Sequence, residues 1–206
     1  MRWRIFIMVW LAFAAFGDGL DLHEPARTLL SRNPIHLTGG GRVEIAFQDA
    51  VGILDHEDLL TAIQLGYAAL LPEGEAPEFT VTKTGPGRYH YVNRKGQETS
   101  IEEVMIQTVA GKSVQVALYS EGVRFFGSYQ SLYQIEVIPT DEGQVDYQVT
   151  VYARPESAAI RLFARVTPVE LYFRHKLNEM TGLVIEVCNQ IKKAETQKEH
   201  HVVYSF

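Results

Sequence analysis

The sequence predicts an α+β domain in which a curved antiparallel sheet of about six to seven strands packs around a long C-terminal helix. Between residues 78 and 154, apolar and polar residues alternate with a period of two, which is typical of strands with one buried face. Turns that contain glycine or proline divide this region into hairpin neighbours. After residue 167 the apolar spacing changes to the three and four residues of a helix.

The first 17 residues have the features of a signal peptide. Arg2 and Arg4 precede a run of 12 uncharged residues, IFIMVWLAFAAF, and Gly17 follows this run. The run is short for a membrane span, which needs about 20 residues. We therefore predict cleavage after Gly17 and a periplasmic or secreted protein, with an uncleaved N-terminal membrane anchor as the alternative.

The part of the chain that remains after this cleavage is acidic. Two of the 19 lysines and arginines lie in the signal peptide, so 17 remain against 25 acidic residues, for a net charge of -8. An acidic domain without clustered basic residues argues against nucleic-acid binding, because phosphate contacts need such clusters. Cys188 is the only cysteine, so no internal disulfide is expected.

The N-terminal half contains fewer regular patterns. Residues 18–41 are predicted to form an N-terminal extension in which Gly39–Gly41 is a hinge or turn. The alternating segment RVEIAFQ, residues 42–48, is predicted to be the first strand. A helix is then predicted to begin at Asp55, as its N-cap, and to end at Pro72.

Six further strands are predicted by alternation and turn signals, in the segments 78–84, 88–94, 100–110, 112–122, 123–139 and 144–154. The segment 123–139 is predicted to be one long strand with Phe125, Tyr129 and Tyr133 on its dry face. The other face of these strands is expected to be wet. Residues 155–166 fit either a short helix or a strand, and both interpretations stay open.

The C-terminal helix begins in a segment that contains a proline. Thr167-Pro168-Val169-Glu170 has the form of a capping box, and proline is well suited to the first helical position. Residues 167–191 then carry one apolar stripe over about 24 residues, or roughly 36 Å. The stripe consists of Val169, Phe173, Leu177, Met180, Val184, Val187 and Ile191. Residues 195–206 are predicted to be a solvated tail.

This order of elements, over residues 42–194, resembles the START-like (SRPBCC) helix-grip superfamily. The hairpin VIPTDEGQVDYQVTVYAR and the long amphipathic terminal helix are similar to the last elements of that superfamily. The resemblance implies a strongly bent sheet that wraps the final helix. It also implies an apolar cavity between them for a lipid-like or polycyclic small molecule.

Tyrosines are frequent on the predicted dry face, and buried tyrosines need hydrogen-bond partners. Several converging hydroxyls would orient a polar group of an otherwise apolar ligand. The alternative is a well-packed core with hydroxyls at its rim. The candidate ligand-binding residues are Tyr89, Tyr91, Phe125, Tyr129, Tyr133, Tyr147, Phe173, Leu177 and Met180.

No pattern of titratable residues predicts a catalytic, cofactor or metal site. We therefore expect non-catalytic binding or carriage of a hydrophobic small molecule or lipid, with transient membrane contact and no nucleic-acid partner. Two alternatives stay open. One is a cyclase- or hydrolase-type enzyme on the same fold, which needs at least two titratable side chains deep in the cavity. The other is a solid-core interaction module with an exposed aromatic patch between Phe126 and Leu132.

Overall fold

The computed structural model describes residues 22–69, 71–158, 160, 171–178 and 181–182, and its centre is a curved seven-stranded antiparallel sheet. The strands are β1 Ile35–Val43, β2 Phe79–Gly85, β3 Arg88–Asn93, β4 Glu98–Val109, β5 Ser113–Arg124, β6 Gly127–Pro139 and β7 Val145–Pro155. Strands β2 to β7 pair in sequence order, and β1 pairs with β7, so β1 and β2 form the two edges.

One helix precedes β1, two helices lie between β1 and β2, and a further helical stretch follows β7. The helices are α1 Glu24–Ser31, α2 Phe47–Leu54 and α3 Leu59–Ala68. Residues 171–178 are helical and are called the C-terminal helical segment. The α+β prediction is confirmed, whereas the signal peptide (1–17), the predicted helix start at Pro168 and the tail (195–206) lie outside the described residues. No helix in the described ranges has both the length and the apolar character needed to cross a bilayer.

One face of the sheet, here called the inner face, carries the main core. Val116, Ile135 and Val149 lie side by side on β5, β6 and β7, and all three are buried. Ile135 and Val149 belong to the same buried cluster as Phe173 and Leu177 of the C-terminal helical segment and Ala50 of α2. The predicted alternation of β6 and β7 is confirmed, because the residues predicted to point inward are those in this core.

The opposite face, here called the outer face, is covered in part by α1. Leu132 and Ala117 are fully buried there, and they pack with Ala26 and Leu29 of α1. The prediction of one wet sheet face is therefore wrong in this region. The predicted exposed patch between Phe126 and Leu132 is also wrong, since Phe126 is 3% exposed and belongs to the inner core.

The Gly39–Gly41 segment lies within β1 and is not a hinge or turn. It pairs in register with residues 147–149 of β7. A Cβ atom on Gly40 would lie 2.4 Å from the carbonyl oxygen of Tyr147, so only glycine allows the two strands to approach this closely. Residues 22–41, predicted to be an extension, therefore supply α1 and β1 to the same sheet domain.

The segment between β1 and β2 contains two helices instead of a strand and one helix. The predicted strand 42–48 ends at Val43, and α2 begins at Phe47. Asp55, predicted as a helix N-cap, is the C-cap of α2, and Asp58 precedes α3. Val43 and Ile45 are both buried, so the alternation reflects burial across the end of a strand and the entry to a helix.

The predicted long strand 123–139 is interrupted by a two-residue turn at Phe125 and Phe126. Arg124 and Gly127 are paired across this turn, and Gly127 has a φ of 91°, which favours glycine. The turn places Phe125 on the surface, 67% exposed, and Phe126 in the core. The prediction that Phe125 shares the dry face with Tyr129 is therefore wrong.

A bidentate ion pair joins the two strands at the β1 edge, and it leads to a prediction about acid stability. Arg42 Nε donates to Asp146 Oδ1 at 2.7 Å, and Arg42 Nη2 donates to Asp146 Oδ2 at 3.3 Å. The hydrogen bond from Arg42 lowers the pKa of Asp146 below its ordinary value of 3.8. Because the pKa is lower in the folded state, the ionised Asp146 contributes stability above pH 3.8. The protein loses this contribution as the pH falls through the folded-state pKa.

We therefore expect Asp146→Asn to lose less stability than the wild type between about pH 5 and pH 3. The difference should be small, because the Asp146 side chain is 51% exposed and solvent screens the pair. Urea unfolding at the two pH values measures it. Equal acid losses in both proteins would show that this pair contributes nothing to the acid dependence.

Candidate functional site

A cleft of about 140 Å³ lies on the inner face, bordered by α3 and the C-terminal helical segment. Its floor comes from β3 to β6, and its side walls come from the two helical elements. The lining residues are Leu60, Tyr91, Thr99, Ile101, Leu118, Ser120, Arg124, Tyr129, Tyr133, Tyr172 and Lys176. The cleft thus combines aliphatic carbon with aromatic hydroxyls and two basic side chains.

Four tyrosines converge on this cleft from both sides. Tyr91, Tyr129 and Tyr133 come from the sheet, and Tyr172 comes from the C-terminal helical segment. Burial raises the pKa of Tyr129 and of Tyr133 above the ordinary value. Their hydroxyls therefore stay protonated at neutral pH, so they act as hydrogen-bonding groups and not as charges.

Arg124 lies at the end of β5 and is held by four hydrogen bonds. Its Nε donates to the Tyr172 hydroxyl at 2.8 Å, and its Nη2 donates to Thr99 Oγ1 at 2.6 Å. Its Nη1 donates to the carbonyl oxygens of Glu98 at 3.2 Å and Val123 at 2.7 Å. These contacts fix the guanidinium, and Arg124 is only 8% exposed.

The surroundings of Arg124 keep it charged. Burial acts to lower its pKa, but the interaction with Tyr129 and the hydrogen bond to Tyr172 raise the pKa above its ordinary value. The guanidinium carbon lies 5.5 Å from the centre of the Tyr129 ring, within the range of a cation–π contact. None of the ion pairs between described residues involves Arg124. The cleft therefore contains a buried positive charge with neutral partners.

Three of the nine predicted ligand-binding residues line this cleft, namely Tyr91, Tyr129 and Tyr133. Tyr89 is 1% exposed and does not line it, and its hydroxyl donates to Glu103 Oε1 at 2.8 Å. Tyr147 is buried within the main core of the inner face.

Phe173 and Leu177, both predicted on the final helix, lie beside the cleft and do not line it. Phe173 is fully buried, with its ring centre 5.5 Å from that of Tyr129. Leu177 packs toward Gly39 of β1, where an added Cβ would lie 3.3 Å from its Cδ2 atom. Phe125 is on the surface, and Met180 lies outside the described residues.

The sequence interpretation missed Arg124 and Tyr172. A continuous strand from 123 to 139 placed Arg124 on the wet face, because it alternates with Phe125. The alternation of β5 alone, through Val116 and Leu118, continues to position 124 and could have identified it. Tyr172 was missed because it lies next to the apolar stripe and not in it.

The described residues show binding groups more clearly than catalytic ones. Among the described residues that line the cleft, the titratable groups are tyrosines, Arg124 and Lys176, with no carboxylate and no imidazole. In the ranges that the structure describes, no three histidine, cysteine or acidic side chains are placed to hold a metal ion. The arrangement is suited to holding an apolar group and hydrogen-bonding a polar one.

No protein-family model matches this chain, and no curated protein matches it. Solved structures do resemble it. The hypothetical protein jhp0584 of Helicobacter pylori aligns with a TM-score of 0.51 and 8% identity over 83% of this chain and 96% of that chain. A conserved protein of Geobacillus kaustophilus aligns with a TM-score of 0.50 and 11% identity, over 78% and 97% of the two chains. These likenesses show the fold alone.

Proposed function

We propose that this protein binds a hydrophobic small molecule, without catalysis, in the cleft between the inner face and the C-terminal helical segment. The observation that carries the proposal is the cleft itself. Lining side chains such as Leu118 and Tyr129 are almost completely buried, yet a space of about 140 Å³ remains between the sheet, α3 and the C-terminal helical segment. The resemblance to the START-like helix-grip superfamily supports the same function.

The size of the cleft limits what it encloses. An engineered apolar cavity of about 150 Å³ holds a benzene molecule. The cleft therefore suits a ring-sized or short-chain apolar group. A lipid or polycyclic ligand would insert one such part, against Leu60, Ile101 and Leu118, and would extend beyond the described cleft.

Two observations favour binding over the alternatives. General acid–base catalysis needs side chains that titrate near the working pH, and the described lining offers hydroxyls, Arg124 and Lys176 instead. An interaction module would need an exposed aromatic patch, but Phe126 and Leu132 are buried.

The basic and apolar segment of residues 2–16 supports export, so we propose that the ligand is bound outside the cytoplasm.

Filling the cleft should block binding. Leu60 lines the cleft from α3, so we expect Leu60→Trp to weaken the binding of 3-phenylpropan-1-ol by about tenfold or more, because the indole would occupy the space that the phenyl ring needs. Ligand-observed NMR titration measures the affinity. The probe is uncharged, so the result reports on the apolar part of the site alone.

Leu65→Trp is the matched control, since Leu65 lies on the same helix and is 64% exposed. This variant should bind the probe as the wild type does. Wild-type affinity for the probe in Leu60→Trp would contradict the proposed function.

A further inference from the structure

The hydrogen bonds of Arg124 leave two donors that have no acceptor among the described residues. A guanidinium carries five N–H groups, and the four hydrogen bonds to Tyr172, Thr99 and two backbone carbonyls leave one Nη2–H over. The Tyr172 hydroxyl accepts from Arg124 Nε, so its own hydrogen remains available to donate. Both donors belong to residues that line the cleft.

Among the described residues, the groups that contact the Arg124 guanidinium are neutral. Its partners are a tyrosine hydroxyl, a threonine hydroxyl and two carbonyls. A buried charge is costly unless it is paired, and arginine pairs with carboxylates most strongly when the pair is shielded from water. An anion at this point would restore that pairing.

We propose that the ligand carries a carboxylate next to its apolar part, and that Arg124 and Tyr172 bind this carboxylate. The inference rests on the proposed function, because it concerns the same cleft. One carboxylate accepts both the Arg124 Nη2–H and the Tyr172 O–H. The apolar body then lies against Leu60, Ile101 and Leu118 on the other side of the cleft. The ligand class is a small amphipathic carboxylic acid.

Matched probes separate the anionic part of this site from its apolar part. The compounds 3-phenylpropionate and 3-phenylpropan-1-ol share one carbon skeleton and differ in the carboxylate. At pH 7.5 the wild type should bind the carboxylate about tenfold or more tightly than the alcohol, as expected for hydrogen bonds to a charged group. A second pair, octanoate and 1-octanol, distinguishes a fatty acid from an aromatic acid.

Two variants test the residues. Arg124→Gln should bind the acid and the alcohol with similar affinity. Tyr172→Phe keeps the ring and the three other hydrogen bonds of Arg124, and it should reduce the preference for the acid several-fold. Arg88→Gln removes an arginine whose side chain is 66% exposed, and it should leave the preference unchanged, which controls for net charge.

The outcomes distinguish this inference from the proposed function. If the wild type binds acid and alcohol equally, or if both variants keep the preference for the acid, the carboxylate assignment is overturned and the apolar site stands. If the wild type binds neither member of either pair, the proposed function is overturned, and the carboxylate assignment with it.

Discussion

Phe173→Ala is expected to lower the free energy of unfolding by about 3–5 kcal/mol, the usual cost of removing a buried phenyl ring. Phe173 is fully buried, and its ring centre lies 5.9 Å from that of Phe126, 5.5 Å from Tyr129 and 5.2 Å from Tyr172. Truncation would leave a cavity among three aromatic rings that cannot easily collapse. Urea unfolding followed by circular dichroism measures the change.

Leu171→Ala is the control for Phe173→Ala, since Leu171 lies in the same C-terminal helical segment and is 65% exposed. It should change the free energy of unfolding by less than about 0.5 kcal/mol. A cost below about 1 kcal/mol for Phe173→Ala would contradict the packing of this segment against the inner face.

Gly40→Ala should destabilise the protein by about 3 kcal/mol, at the upper end of the range for overpacked positions. The added Cβ would lie 2.4 Å from the carbonyl oxygen of Tyr147 and 3.2 Å from the Cα of Gln148. Both atoms belong to the backbone of β7, so a rotamer change cannot relieve the contact. Strand β1 would have to move away from β7 and lose part of its ladder. Thermal and urea unfolding measure the loss.

Gly52→Ala makes the same chemical change in α2, where nothing lies within 4 Å of the added Cβ. It should stabilise the protein by up to about 1 kcal/mol, because alanine is the better helix former. The two substitutions should therefore have opposite signs. Unchanged stability in Gly40→Ala would favour the hinge that the sequence alone predicts over the paired strand.

The sequence predicts β2 and β7 well because their side chains alternate between a more buried and a less buried environment. It fails at β1, since Gly39–Gly41 has no side chains that could show alternation. It also fails at the β5–β6 turn, where Phe125 and Phe126 are as apolar as strand residues. In both places the structure depends on backbone geometry, which the pattern of apolar residues does not indicate.

The candidate site is predictable in part for the same reason. Tyr129 and Tyr133 alternate with Gln130 and Gln134, so the sequence places them on the inner face, where the structure has them. Phe173 follows the apolar stripe, but the stripe indicates burial and does not distinguish core from cleft. Arg124 depends on the position of a two-residue turn, which only the three-dimensional structure shows.

The covering of the outer face could not be read from the strands themselves. Leu132 shares its strand face with Gln130 and Gln134, so its position in the sequence fits a partly wet face. Its burial comes from α1, through Ala26 and Leu29. A helix of eight residues gives only two turns of periodicity, too little to predict where it packs.

Ligand entry between the inner face and the C-terminal helical segment is tested most directly by two-dimensional NMR of the ¹⁵N-labelled protein titrated with 3-phenylpropionate. We expect saturable shifts of the backbone amides of Tyr91, Ile101, Leu118 and Tyr172, which line the cleft. The amides of α1, on the outer face, should not move. The absence of saturable shifts, or shifts confined to α1, would contradict ligand binding in the cleft.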